Sequence, residues 1–154
     1  MKNLIQVEIF RVLYEPNTKT NLVLLKEIEG QRILPVSIGI FEAEAIARAL
    51  HGITFERPLT HDLIKNLIKE MGGTLEKVII NDLKDNVFYA RLIIRKNGEI
   101  LSLDARPSDS ICIATLWGCP IFVGAQVMEK AGVDMDELPP EEEDLDEGPP
   151  EGYA

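Results

Sequence analysis

The chain has no Lys or Arg after Lys130. All 16 basic residues and 16 of the 26 acids precede Gly132, so the body is formally neutral and the tail carries the net charge of −10. A neutral body lacks the basic patch that nucleic-acid binding usually displays, although a local one remains open. Cysteine is scarce. Cys112 and Cys119 have no histidine beside them, which excludes a zinc-type spacing and points to two free thiols in a reducing compartment. No stretch approaches the roughly 20 apolar residues of a membrane span, and Met1-Lys2-Asn3-Leu4-Ile5-Gln6-Val7-Glu8 holds no sustained apolar run. Neither a span nor a signal peptide is expected, and the expected location is cytoplasmic. A phosphate-cradling glycine loop and a nucleophile elbow are missing too.

What is present is ordinary globular composition over 154 residues, enough for one domain with a real core. Alternating apolar residues predict strands over 5–14, 22–28 and 33–38, with Pro35 placing the third near an edge or bulge. A helix over 41–51 follows, with Phe41, Ala45, Ile46, Ala49 and Leu50 on one face and Gly52 as its stop. Thr60 reads as the N-cap of a second helix carrying Leu63, Ile64, Leu67, Ile68 and Met71, which Gly72-Gly73 ends. Strands over 75–80, 87–94 and 99–103 come next, joined by a turn over 81–86 and a hairpin at Lys96-Asn97-Gly98. A third helix runs from Pro107 to Gly118, then a short strand over 120–123 and a short helix over 125–131. From Gly132 the chain is acidic and Pro-rich, so residues 133–154 are expected to be a disordered acidic tail after a domain of residues 1–132.

Asp104-Ala105-Arg106-Pro107-Ser108-Asp109 sits where a strand hands over to an apolar helix. Pro107 suits the first helical position, because its fixed φ is helical and its missing N–H is not needed there. Ser108 and Asp109 then fall in the first turn, where unpaired N–H groups and the dipole favour negative charge. Residues 5–52 and 75–118 share one order, strand–strand–strand–helix–Gly. An offset of 66 lays Gly52 on Gly118, Ile38 on Asp104 and Glu42 on Ser108. The expected fold is therefore α+β: mixed sheets built from a duplicated β-β-β-α unit, with an extra helix between the halves, in a single domain. Two helix N-termini related in this way could converge on one cleft.

Four stretches together resemble the bifunctional nuclease domain family. They are Leu34-Pro35-Val36-Ser37-Ile38-Gly39 with Glu42-Ala43; Arg57-Pro58-Leu59-Thr60-His61-Asp62; Asp82-Leu83-Lys84-Asp85 with Phe88-Tyr89-Ala90; and the hexapeptide 104–109. The stretches come in the family's order, and the resemblance covers roughly residues 5–125. The resemblance implies an α+β fold, cleavage of DNA and RNA, and a homodimer. Some family members add a C-terminal helical hairpin of the kind repair proteins use to bind each other; here the acidic tail stands in its place.

Phosphodiester hydrolysis needs an activated water and stabilisation of charge on the transferring phosphate. Glu42, Asp62, Asp104 and Asp109 are the candidate oxygen ligands for Mg²⁺ or Mn²⁺. Arg57 and Arg106 are the candidate phosphate grips, and His61 is the candidate general acid or base beside catalytic Asp62, Asp104 and Asp109. Each has a plainer alternative. Asp62, Asp109 and Glu42 complement helix dipoles; Arg57 and Arg106, each held extended before a proline, can bridge helix ends to carboxylates. Ser108 reads as a first-turn hydroxyl rather than a nucleophile. The expected function is a metal-assisted nuclease. The competing readings are a non-catalytic interaction module and a small phosphate or nucleotide binder.

Overall fold

The computed structural model describes residues 3–138 and 143–144. Strands β1 (Leu4–Glu15), β2 (Thr20–Glu27) and β3 (Arg32–Ile38) lead to helices α1 (Ile40–Leu50) and α2 (Thr60–Glu70). Strands β4 (Thr74–Lys84), β5 (Val87–Lys96) and β6 (Glu99–Ala105) lead to α3 (Pro107–Trp117). Then come β7 (Ile121–Gly124), α4 (Ala125–Ala131), β8 (Val133–Asp134) and β9 (Glu143–Asp144). The strands form one mixed sheet rather than several, in the order β6-β5-β4-β7-β1-β2-β3-β8, with β9 pairing β1 off that path. The architecture is α+β in a single domain. Short β7 lies at the centre, antiparallel to β1 and parallel to β4, so it joins the two three-stranded meanders. Pro35 pairs with Leu24 of β2 on one side, and on the other β3 has no partner beyond Ile33 among the described residues, an edge that suits a residue with no N–H.

Alternation decides which faces are buried. Ala90, Leu92 and Ile94 point into the core from β5, with Val78 and Ile80 from β4 and Val23 and Leu25 from β2. Helix α3 is buried on most sides, with Ile111, Ile113 and Ala114 at most 1% exposed. It packs on α1 and on β4 and β5. Pro107 stands first in the helix and Gly118 ends it at φ +89°, its N–H bonded to the Ala114 carbonyl at 2.7 Å. Burial pushes the Cys112 thiol up to about 12 and Cys119 to about 11, which favours the protonated thiol at both free cysteines.

Several expectations need correction. The segment 81–86 is not a loop: β4 continues to Lys84 through a bulge after Ile80, and only Asp85 and Asn86 turn, at φ +51° and +64°. Asp82, a turn former by type, instead pairs with Tyr89 across the ladder and accepts the Leu83 N–H at 2.8 Å. Thr60 is the first helical residue, not the cap. Leu59 holds the cap position, its N–H bonded to Asp62 Oδ2 at 3.1 Å. Phe41, placed on the inner face of α1 by its spacing, is 78% exposed, because the helix packs on Ala43, Ile46 and Ala47. On α2 only Ile64 and Ile68 reach the core; Leu63, Leu67 and Met71 face outward. The strand–strand–strand–helix order does occur twice, yet α1 and α3 begin at Ile40 and Pro107, one residue out of step with the offset of 66.

Of residues 133–154, Val133–Asp134 pair with Arg32 and Ile33, and Met135 and Leu138 pack near Leu13, Leu24 and Ile33. Glu143 and Asp144 pair with Tyr14 and Leu13. The rest of the expected tail lies outside the described residues. No helix among the described residues is long and apolar enough to cross a membrane.

The β2–β3 hairpin is tied by one buried carboxylate. Glu27 accepts the Arg32 backbone N–H at 3.0 Å on one oxygen and the guanidinium at 2.8 and 3.1 Å on the other. Those side-chain hydrogen bonds hold its carboxyl below the usual glutamate range, against the opposing effect of burial. Glu27→Ala leaves the Arg32 N–H unmatched and is expected to destabilise by about 1–3 kcal/mol, read as a lower urea midpoint.

Candidate active site

Three helices bring their N-termini together. Glu42 of α1 meets Arg106 at the start of α3, and further along the Cys112 thiol contacts the Ala45 carbonyl at 3.6 Å. His61 of α2 meets Asp109, while Lys65 Nζ donates to the Leu116 carbonyl at 3.0 Å and Lys69 lies over the Trp117 ring. These contacts run in the same order along each pair, so α1, α2 and α3 point the same way. Their positive dipole ends share one region.

Arg106 is the centre of that region. Its Nε donates to Asp109 Oδ2 at 3.0 Å, Nη2 to Asp109 Oδ1 at 3.3 Å, and Nη1 to Glu42 Oε2 at 3.1 Å. A guanidinium has five N–H donors, so two have no partner among the described residues, and the side chain is 64% exposed. Burial raises the Asp109 carboxyl, but hydrogen bonds from Arg106 and His61 outweigh it and leave the group below the ordinary aspartate range. Asp109 is therefore ionised and can only accept, which fixes His61 Nε2 as the donor in their 2.8 Å hydrogen bond. The other ring nitrogen, Nδ1, is left unprotonated in the neutral ring, with no hydrogen bond among the described residues. A histidine oriented by a carboxylate thus stands next to a guanidinium that is open to solvent.

These groups line a cleft of about 970 Å³ with apolar walls from Phe41, Ile64, Leu92 and Leu103. Asp104 also lines it, but on β6, largely exposed and 3.8 Å from Arg91. The structure therefore joins Glu42, His61, Arg106 and Asp109 and sets Asp104 at the rim. It does not bring in two other candidates. Asp62 faces back to the Leu59 amide, and Arg57 is exposed, with no bond to the cluster among the described residues. Arg48 lines the same cleft and escaped the sequence reading. Its signal was present, since 41, 45 and 48 share one helical face.

A divalent metal does not fit this arrangement. Among the described residues no three His, Cys, Asp or Glu side chains are grouped to hold one. Glu42 and Asp109 already share a cation, the guanidinium between them.

The bifunctional nuclease domain matches residues 23–136. An uncharacterized protein of Mycobacterium tuberculosis is 42% identical over 139 residues, covering 90% of this chain and 80% of that protein. Bifunctional nuclease 1 of Oryza sativa subsp. japonica is 29% identical over 124 residues, covering 79% of this chain and 38% of its own length. Bifunctional nuclease 2 of Arabidopsis thaliana is 25% identical over 123 residues, with 78% and 37% covered. The chain thus spans less than two fifths of these plant proteins.

Proposed function

The chain belongs to the bifunctional nuclease domain family, and from that premise we propose that it hydrolyses phosphodiester bonds of DNA or RNA in the cleft around Arg106. The observation that carries this reading is the 2.8 Å His61–Asp109 hydrogen bond beside a guanidinium open to solvent. The two unused donors of Arg106 bind a phosphate oxygen and oppose the charge that builds on it. Asp109 holds His61 so that Nδ1 takes the proton of an attacking water. A new P–O bond forms, the ester P–O bond breaks, and the proton held on Nδ1 passes to the leaving oxygen, so that a phosphomonoester and an alcohol leave. Asp104 on the rim pairs with Arg91 and takes no part in these steps.

The test is cleavage of labelled single- and double-stranded DNA and RNA, with Mg²⁺, Mn²⁺ or EDTA. Wild type is expected to cleave at least one substrate, and Asp104→Asn to stay close to it. Activity that survives EDTA supports the side-chain mechanism; activity restored only by Mg²⁺ or Mn²⁺ supports a metal-assisted one. A second reading has its own support. Arg106 bridges α1 to α3 through Glu42, and a purely structural lock fits an interaction module that cleaves nothing in any arm. Outer strand β6 leaves Ile100, Leu101 and Leu103 exposed, which supports a homodimer formed along that edge.

A further inference from the structure

A second pocket, of about 360 Å³, lies on the other side of Arg106. It is formed where β3 ends at Ile38-Gly39, where the β4–β5 turn carries Asn86 and Phe88, and where α3 begins at Pro107-Ser108. Its lining contains no carboxylate among the described residues. Both α1 and α3 start here, from Gly39 and Arg106, and each is 11 residues long. Ser108 and Asp109 offer first-turn N–H groups that have no partner inside the helix. Independently of the helix ends, Ser108 is only 7% exposed and lines this pocket, and its hydroxyl has no hydrogen-bond partner among the described residues. The Ser108 hydroxyl is not sealed from solvent, so with no protein partner it is available to a ligand acceptor at the helix start.

We propose that this pocket binds a phosphomonoester, its phosphate on the Ser108 hydroxyl and the α3 amides, and an attached ring system against Phe88. The remainder of the wall, Val36, Ile38 and Val87, is apolar and suits a nucleoside rather than a bare ion. The volume is within the range of small-ligand sites and larger than phosphate alone requires. Free nucleotides and the phosphorylated end of a strand share this chemistry. Binding is read without turnover, so the site stands whether or not the chain cleaves nucleic acid.

The experiment titrates adenosine 5′-monophosphate, inorganic phosphate, adenosine, and an oligonucleotide with and without a 5′-phosphate into the full chain, by calorimetry. Adenosine monophosphate is expected to bind saturably, phosphate alone more weakly, and adenosine least. Tighter binding of the phosphorylated oligonucleotide than of its unphosphorylated form would place the ligand at a strand end; equal binding of the two would leave the free nucleotide. Ser108→Ala removes only an unpartnered hydroxyl and should weaken nucleotide binding about tenfold. Asn86→Asp sets a carboxylate on the rim at a position whose neighbour, Asp85, already adopts the same backbone, and should weaken it further. Asp104→Asn, in the other cleft, should leave the affinity unchanged. No saturable binding at millimolar nucleotide, or an affinity that ignores both Ser108→Ala and Asn86→Asp, would overturn the proposal.

Discussion

Asp109→Asn is expected to lower cleavage by about 10²–10⁴-fold while the fold survives, because one atom changes and the hydrogen-bond roles invert. The carboxylate accepts from both His61 and Arg106. An amide has one oxygen and one NH₂, so it cannot accept from both partners with both of its ends. If the NH₂ turns to His61, the ring must accept at Nε2 and carry its proton at Nδ1, and the base is lost. His61→Ala should fall in the same range, and the double variant should fall little further, since the two act as a unit. Single-turnover rates on the best substrate, with circular dichroism to confirm the fold, decide this. A loss under about fivefold for both would sink the mechanism. The same carboxylate also affects acid stability. Its folded-state pKa lies below its unfolded one, so its stabilisation is complete above the ordinary aspartate value of about 3.9 and fades as pH falls through the folded value. Wild type should therefore lose melting temperature below about pH 4 more steeply than Asp109→Asn.

Ile111→Ala is expected to cost about 2–5 kcal/mol, a large share of the 5–15 kcal/mol that holds an ordinary domain. Ile111 is fully buried in the main core, on the helix that carries Arg106 and Asp109 at its start. The truncation forfeits dispersion contacts and leaves a cavity that the surrounding sheet and helices only partly close. Urea unfolding should show the lower midpoint, with a drop in melting temperature of roughly 10 °C. Leu67→Ala on the exposed side of α2 is the control, with a change within about 0.5 kcal/mol. If Ile111→Ala behaved like that control, the packing of α3 against the sheet would be wrong.

How much of this was legible beforehand depended on whether the cause was local. Pro107 and Gly118 mark the ends of α3 through their own backbone restrictions, and Asn97-Gly98 turns at φ +53° and +78° as its residue types require. Asp82 misled because its turn propensity is weak beside the cross-strand pairing of Asp82 and Leu83 to Tyr89 and Phe88, with Asn81 taken up in the bulge. Phe41 misled because helical spacing defines a face without saying whether anything covers it. In the site, Asp109 and Arg106 were readable as a pair three residues apart. Glu42 and His61 were named, but their convergence on that pair depends on three helices packing in the same sense, which no local pattern encodes. The neighbours Arg57 and Asp62 show the converse: one is turned to solvent and the other to a backbone amide. Adjacency in the chain says little about direction in space.

The central place of β7 has a kinetic consequence. Each three-stranded meander can form from hairpin contacts close in sequence, but the strand that joins them comes after both and is only four residues long. The halves must therefore wait, each with an open inner edge, until the chain beyond Gly124 is available. Closure links Leu4–Val7 to Ile121–Gly124, across nearly the whole described chain. Such a late, long-range step should set the folding rate. On the ribosome, nascent chains stopped short of β7 should be the species most prone to aggregate.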